Sequence, residues 1–230
     1  MPGAADEARA STTHTVTITA NVTCTELSNA GTGTYVLNSG VTLTANLTNK
    51  STTANNILLT FSSASPSSAN IVGNCSNGTT GEAARISSTG TLTITGNCTN
   101  TGGNGAAGIS GNGVLNISGN VSSGSIAGGS GVFNISTSGI LNVTGNVTGG
   151  TNATSIGAIN TSSGSISIVG AVTASTGAGV QNYSTGPVTI TGTLTPTTAV
   201  HALQCTNTTG ANIILSGSLI YASNGFAPTN

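Results

Sequence analysis

Apolar residues alternate with polar ones in nine short segments of this chain, and the segments recur at a regular spacing. Each segment can be aligned on one small residue, which we call its anchor. Successive anchors are 22 to 28 residues apart. The positions four before, two before and two after every anchor are apolar, and mainly Thr, Ser and Asn stand between them. Such alternation is typical of a β-strand with one buried face. The anchors are Ala20, Ala45, Gly73, Gly96, Gly119, Gly145, Gly170, Gly192 and Gly217.

A repeat of this length is typical of a solenoid or an array. The nine strands could instead be distributed over a sandwich. We favour the solenoid because stacking in register places like residues over one another, with Ile on Ile inside and Thr or Asn ladders outside. The pattern therefore predicts an all-β protein, a single-stranded right-handed parallel β-helix (β-solenoid) of about nine coils, each of 22–28 residues.

Further apolar residues and glycines predict the rest of each coil. A second set of apolar positions is expected to supply another wall of the core: Val132, Phe133, Ile156, Ile159, Val180 and Leu203. Glycines six residues before an anchor predict turns with a positive φ: Gly90, Gly113, Gly139, Gly164 and Gly186. The longest interval, between Ala45 and Gly73, predicts a loop at residues 62–68.

Both ends of a solenoid expose unpaired strand edges, which need a cap or a partner. Residues 1–14 contain three charges and are predicted to form an N-terminal cap or arm. Residues 15–223 are predicted to form the β-solenoid. Residues 224–230 are predicted to form a C-terminal cap or tail, in which Phe226 would plug the core and Pro228 would end strand pairing.

Charged residues are scarce, and this excludes several classes of function. The chain has four acids and three bases, and none of them follows Arg85. Paired-carboxylate catalysis and electrostatic recognition of nucleic acid both need more charged groups than these. No apolar run is long enough to span a membrane, and the N-terminus shows no signal peptide. We therefore predict no enzyme activity, no catalytic, cofactor-binding or metal-binding residues, no nucleic-acid partner and no membrane insertion.

The cysteines and histidines offer little reactive chemistry. Cys75 and Cys98 fall in the same inward column, where stacked Cα atoms lie within disulfide range but parallel Cβ directions suit a bridge poorly. We expect two buried thiols that act as small apolar side chains. Cys24 and Cys205 have no evident partner. His201 stands four residues before Cys205, but no acid nearby would orient it for catalysis.

The outward positions predict a flat, uncharged grid of hydroxyl, methyl and amide groups. We consider three interpretations: a soluble sheet surface, a surface that packs against another copy or a virion neighbour, and an ice-binding surface. Asn-x-Ser/Thr triplets in this grid follow from the alternation and are not expected to carry glycans. The candidate interaction face comprises Thr17, Thr19, Asn21, Thr42, Thr44, Asn46, Thr93, Thr95, Asn97, Asn116, Ser118, Asn120, Asn142, Thr144 and Asn146.

The chain also resembles a known group of proteins. The opening PGAADEA, the run THTVTITANVTCTEL that follows it, and the closing SGSLIYASNGFAP resemble repeat-rich parallel β-solenoid proteins of bacteriophage virions, which form fibres, spikes or capsid decorations. Bacterial surface adhesins share this style of repeat. The resemblance carries no functional residues over, because its pattern is structural.

The resemblance implies a non-enzymatic structural protein on the surface of a phage-like particle, as a fibre or capsid decoration. Its expected partners are further copies of itself, other virion proteins or both. The alternative is a bacterial surface adhesin or glycan-binding solenoid, extracellular or at the cell surface, whose partner would be a cell-surface glycan. An ice-binding protein is the third interpretation.

Overall fold

The computed structural model of the chain describes residues 7–10, 14–29, 34–38, 40–49, 59–61, 68–78, 81–102, 105–124, 128–175, 177–196, 201–206, 210 and 212–220. Within these ranges all regular structure is β-strand, and all the strand pairs are parallel. The first twelve strands are β1 (Glu7–Ala10), β2 (Thr15–Ile18), β3 (Val22–Asn29), β4 (Thr34–Leu37), β5 (Thr42–Asn49), β6 (Leu59–Phe61), β7 (Ser68–Val72), β8 (Cys75–Asn77), β9 (Ala84–Ile86), β10 (Thr91–Thr95), β11 (Cys98–Asn100) and β12 (Gly105–Ile109). The next twelve are β13 (Val114–Ser118), β14 (Val121–Ser123), β15 (Ser130–Asn134), β16 (Ile140–Thr144), β17 (Val147–Thr148), β18 (Ile156–Asn160), β19 (Ser165–Val169), β20 (Val172–Ala174), β21 (Val180–Asn182), β22 (Val188–Pro196), β23 (Leu203–Cys205) and β24 (Ile213–Leu219).

The strands stack into the walls of a parallel β-solenoid, as the repeat predicts. The first wall contains β7, β10, β13, β16 and β19, and the second wall contains β8, β11, β14, β17 and β20. The longer strands β5 and β22 run through both of these walls and join them into one sheet, to which β1, β3 and β24 also belong. The third wall contains β9, β12, β15, β18, β21 and β23. A separate N-terminal sheet contains β2, β4 and β6.

The register of the stack follows the predicted anchors from Ala45 onward. For example, Leu92 lies beside Leu115 and Ile94 beside Ile117, as expected for coils that repeat without a shift. From Ala45 to Gly217 the chain makes about seven turns, fewer than the nine coils predicted. At about 4.8 Å per strand, seven turns form a stack roughly 34 Å long.

The first predicted coil is out of register, so the anchor at Ala20 is wrong. Thr15–Ile18 pairs with Thr34–Leu37 in the N-terminal sheet instead of stacking on β5. Val22, not Ile18, lies beside Leu43, and a register shift in β3 between Thr23 and Glu26 adds one extra residue there. As a result the side chain of Val16, predicted to be buried, is 40% exposed.

The core confirms the alternation in the regular coils. The inward residues of the first wall are almost fully buried in every coil from β7 to β22. In the third wall Val132 and Val180 are buried as predicted, but Phe133 and Ile159 lie on the outer side of their strands and are only partly buried. The prediction that Phe133 and Ile159 belong to the core is therefore wrong.

A column of glycines separates the first wall from the second. Gly73, Gly96, Gly145, Gly170 and Gly192 have φ angles between 150° and 154°, which side chains with a Cβ rarely adopt. A Cβ added to Gly96 would lie 2.1 Å from the carbonyl oxygen of Gly73 in the preceding coil. These five anchors must therefore be glycine both for their conformation and for the close approach of two backbones.

The glycines before the first wall do not have the positive φ that we predicted. The eight described glycines with positive φ include five of the anchors but none of the five turn glycines. A Cβ on Gly186 would instead overlap the carbonyl oxygen of Gly164, and one on Gly164 would lie 2.4 Å from that of Gly139. Close stacking of the turns, not the sign of φ, therefore requires glycine at these positions.

The ends of the chain are described only in part. Residues 7–10 form β1, which pairs with the second half of β3 and lengthens the sheet at its N-terminal edge. Residues 224–230, including Phe226 and Pro228, and residues 62–67 of the predicted loop lie outside the described ranges.

Candidate interaction surface

The outward side chains of the first wall form three parallel columns, which we call the threonine–asparagine face. Neighbouring coils pair in register, so the first two columns contain one residue from every coil from β5 to β24. The first column is Thr42, Asn70, Thr93, Asn116, Asn142, Ser167, Thr189 and Ile214. The second is Thr44, Val72, Thr95, Ser118, Thr144, Val169, Thr191 and Ser216. The third is Asn46, Asn74, Asn97, Asn120 and Asn146.

The third column is a hydrogen-bonded asparagine ladder that follows the anchor glycines. The Oδ1 atom of Asn97 accepts a hydrogen bond of 2.8 Å from the backbone N–H of Asn120, whose own Oδ1 accepts one of 2.9 Å from Asn146. The same bond links Asn46 to Asn74, and Asn146 to Ala171. Each exposed amide thus satisfies a backbone donor of the next coil at the break between the two walls, where strand pairing is interrupted.

Most of the predicted interaction residues lie on this face. The structure brings together the twelve predicted residues from Thr42 to Asn146, in the columns that the repeat predicts. Thr17 does not belong there, because it lies in the N-terminal sheet beside Val36. Thr19 is exposed in the segment between β2 and β3. Asn21 touches the edge of the face, since its Oδ1 accepts a hydrogen bond of 2.8 Å from the N–H of Thr42.

The threonine–asparagine face is uncharged but not uniformly polar. Its second column includes Val72 and Val169, which are 44% and 50% exposed, and its first column ends in the half-exposed Ile214. All five described charged residues lie elsewhere, on β1, β3 and the segment around β9. A salt bridge joins Arg85 to Glu82 at 3.4 Å, beside the third wall. Another flat surface could therefore approach the face without electrostatic repulsion.

Asparagine also lines the interior, which the sequence analysis missed. Asn134, Asn160 and Asn182 form a buried column at the corner between the third wall and the first. The Nδ2 atom of Asn160 donates to the carbonyl oxygens of Gly164 at 2.9 Å and of Gly186 at 3.0 Å. The signal was an asparagine four or five residues before three of the five turn glycines, Gly139, Gly164 and Gly186. These amides satisfy carbonyl groups that bend away from the strands.

The outer side of the third wall is a second surface, which the sequence analysis also missed. One of its columns is Arg85, Gly108, Phe133, Ile159, Gln181 and Gln204, and the next includes Ile135, Thr161 and Tyr183. Both glutamines of the chain and its two described exposed or partly exposed aromatic rings lie here. The ring of Phe133 lies over Gly108, where an added Cβ would be 2.0 Å from the ring.

Cys75 and Cys98 are buried free thiols, as the sequence predicts. Cys75 and Cys98 are adjacent in register and buried, and neither is in a disulfide. A hydrogen bond with Cys75, followed by burial, raises the pKa of the Cys98 thiol well above its usual value. Burial also raises the pKa of Cys205, which is partly exposed. The thiols of Cys98 and Cys205 are therefore held in the protonated form, which is a poor nucleophile.

Other reactive groups remain apart. Among the residues that the structure describes, no three His, Cys, Asp or Glu side chains are grouped as a metal site would need. His14 and His201 belong to opposite ends of the stack. None of the described segments forms a helix that could cross a membrane.

Comparison with known proteins gives no family for this chain. No protein-family model matches it, and no curated protein and no solved structure matches it either.

Proposed function

We propose that this protein is a non-enzymatic structural rod displayed on the outside of a phage-like particle, as a fibre or a capsid decoration. One observation carries the proposal: the threonine–asparagine face repeats without a charge over about seven turns of a continuously packed core. A solenoid of this kind is stiff because each coil is packed and hydrogen-bonded to the coils before and after it.

The proposed partner of the threonine–asparagine face is another copy of the chain or a neighbouring virion protein. Val72 and Val169 provide apolar contact area, and the hydroxyl and amide columns provide hydrogen-bonding groups at a constant spacing of about 4.8 Å. Since the face has no net charge, side-by-side packing would bury no unpaired ion.

Sedimentation velocity over a range of concentrations tests the association. We expect the wild-type protein to associate and Thr95→Lys to shift it toward the monomer, because a lysine ammonium in the middle of the face would be desolvated. Thr185→Lys is the control, since Thr185 is exposed in a turn away from the face. A wild-type protein that remains monomeric at high concentration would argue against lateral packing.

Immunogold electron microscopy tests the location. Antibody fragments raised against the recombinant chain would be applied to particles and to cell envelopes from the source culture. We expect gold on the outside of phage-like particles. Gold on the envelopes alone would favour the second candidate, a surface adhesin, which the mixed aromatic and amide surface of the third wall also supports.

A further inference from the structure

The outer side of the third wall contains a pocket of about 330 Å³ at the corner where three successive coils enter that wall. It is lined by the turn before β18, the segment before β21, and His201 before β23. The lining residues are Ala153, Thr154, Ile156, Gly177, Ala178, Gln181 and His201. A pocket of this volume is at the small end of the range for organic ligands.

Hydrogen bonds between side chains fix the position of Gln181 at the pocket rim. Gln181 Nε2 donates a hydrogen bond of 2.7 Å to Gln204 Oε1, and the hydroxyl group of Tyr183 donates one of 2.9 Å to Gln181 Oε1. Gln181 therefore keeps one N–H and one lone pair for a ligand. Tyr183 is 41% exposed and is not itself a lining residue, but this bond connects its hydroxyl group to Gln181, which is one.

The pocket also contains an unsatisfied polar atom. Nδ1 of His201 is buried and has no hydrogen-bond partner in the described part of the chain. A buried nitrogen without a hydrogen bond destabilises the folded state, so its presence needs an explanation. Since this atom has almost no accessible surface, the imidazole ring would have to rotate before a ligand hydroxyl group could bond to it.

We propose that this pocket binds one pyranose ring of a neutral carbohydrate, with Gln181 and His201 bonding its hydroxyl groups and Tyr183 packing against its C–H face. No lining residue bears a carboxylate, ammonium or guanidinium group, which argues against an ionic ligand. Ala153, Ile156 and Ala178 supply apolar contacts beside the polar groups. Neutral sugars combine hydroxyl groups with an apolar face, and that face packs well on an aromatic ring.

Saturation-transfer difference NMR tests the site, with glucose, galactose, mannose, N-acetylglucosamine and their linear oligomers as probes at millimolar concentration. We expect transfer from the wild-type protein to at least one of these sugars. Isothermal titration calorimetry would then give the dissociation constant for the sugar with the strongest transfer. No transfer to any probe would overturn the proposal.

Three variants locate the sugar. Gln181→Ala and Tyr183→Ala should weaken binding at least tenfold, on the order of the loss of one good contact. Tyr183→Phe keeps the ring and should weaken binding less. Thr191→Ala, on the threonine–asparagine face, should bind as the wild type does. Unchanged affinity in a folded Gln181→Ala variant would place the sugar elsewhere and contradict the proposal.

This inference does not depend on the proposed structural role. Lateral association is measured by sedimentation of variants on the threonine–asparagine face, whereas sugar binding is measured with variants of the third wall. Thermal unfolding of each third-wall variant shows whether a loss of binding is due to a loss of folding. Either proposal can therefore fail while the other stands.

Discussion

From β7 to β22 each coil lies over the previous one without a shift, whereas between β3 and β5 the register changes between Thr23 and Glu26. Both regions have the same alternation of apolar residues with Thr and Asn. They differ at the anchor, which is glycine in the regular coils and alanine at position 45, where the shifted strand β3 pairs. The comparison shows that alternation specifies strands, while the glycine contact specifies how coils stack.

The largest expected contrast comes from placing a charge at a predicted inward position in each of the two regions. Ile117→Asp should prevent folding, because Ile117 is 1% exposed and the carboxylate would have no partner in the core. Val16→Asp should change the free energy of unfolding by only about 0.5 kcal/mol, since Val16 is 40% exposed. Soluble expression and urea unfolding measure both effects. Equal damage would mean that Val16 is buried and the N-terminal register is wrong.

The second contrast tests the glycine contact directly. Gly96→Ala should destabilise the protein by roughly 3 kcal/mol, because it combines an unfavourable φ with a backbone overlap. The matched change Ala45→Gly, at the first anchor of the column, should cost only about 0.5–1 kcal/mol of chain entropy. Chemical denaturation gives both values. A Gly96→Ala protein as stable as the wild type would show that the coils do not need this contact.

The third contrast lies within the regular coils, between the inner and outer asparagines. Asn160→Ala should lower the free energy of unfolding by about 1–3 kcal/mol, since it leaves the buried carbonyl group of Gly164 without a donor, whereas that of Gly186 keeps its bond from Asn182. Asn97→Ala should cost about 0.5–1 kcal/mol, because water can replace its exposed hydrogen bond. Thermal unfolding of the two variants compares them. The reverse order of stability would mean that the buried column is not where the structure places it.

The smallest expected effect is a pH dependence of the free energy of unfolding, which comes from Cys98 beside Cys75. The folded-state pKa of Cys98 is raised above its usual value of about 9, so folding favours the protonated thiol. This contribution to stability is fully present below about pH 9 and is lost as the pH rises through the folded-state pKa. Cys98→Val should therefore lose less stability than the wild type between pH 8 and pH 10. Identical slopes of unfolding free energy against pH would contradict this.

Much of the fold could be predicted because it depends on local alternation and on repetition. The inward positions around Gly96 and Gly119 were predicted correctly, and so were the columns that contain Thr95 and Ser118. The shift in β3 could not be predicted, because it depends on how two particular coils meet and leaves the alternation intact. The sequence around Ala20 follows the repeat, although the strand before it, β2, belongs to the N-terminal sheet.

The candidate surfaces were predictable to different degrees. The threonine–asparagine face follows from strand alternation, so most of its residues could be named. The pocket could not be, because Ala153, Gly177 and His201 come from turns of three coils, and turns in this chain share only weak patterns. Phe133 and Ile159 were assigned to the core because they are apolar, yet the short third-wall strands turn them outward.

The glycine column also restricts how such a chain can change in length. Because each anchor rests on the backbone of the one before it, a deletion from one glycine to the next removes a single turn and leaves every remaining column aligned. A deletion inside a strand would bring a side chain against that backbone or reverse the inward and outward faces, whereas the turns already accommodate intervals of 22 to 28 residues. Viable variants in the number of strands should therefore differ by entire turns, each about 4.8 Å in height.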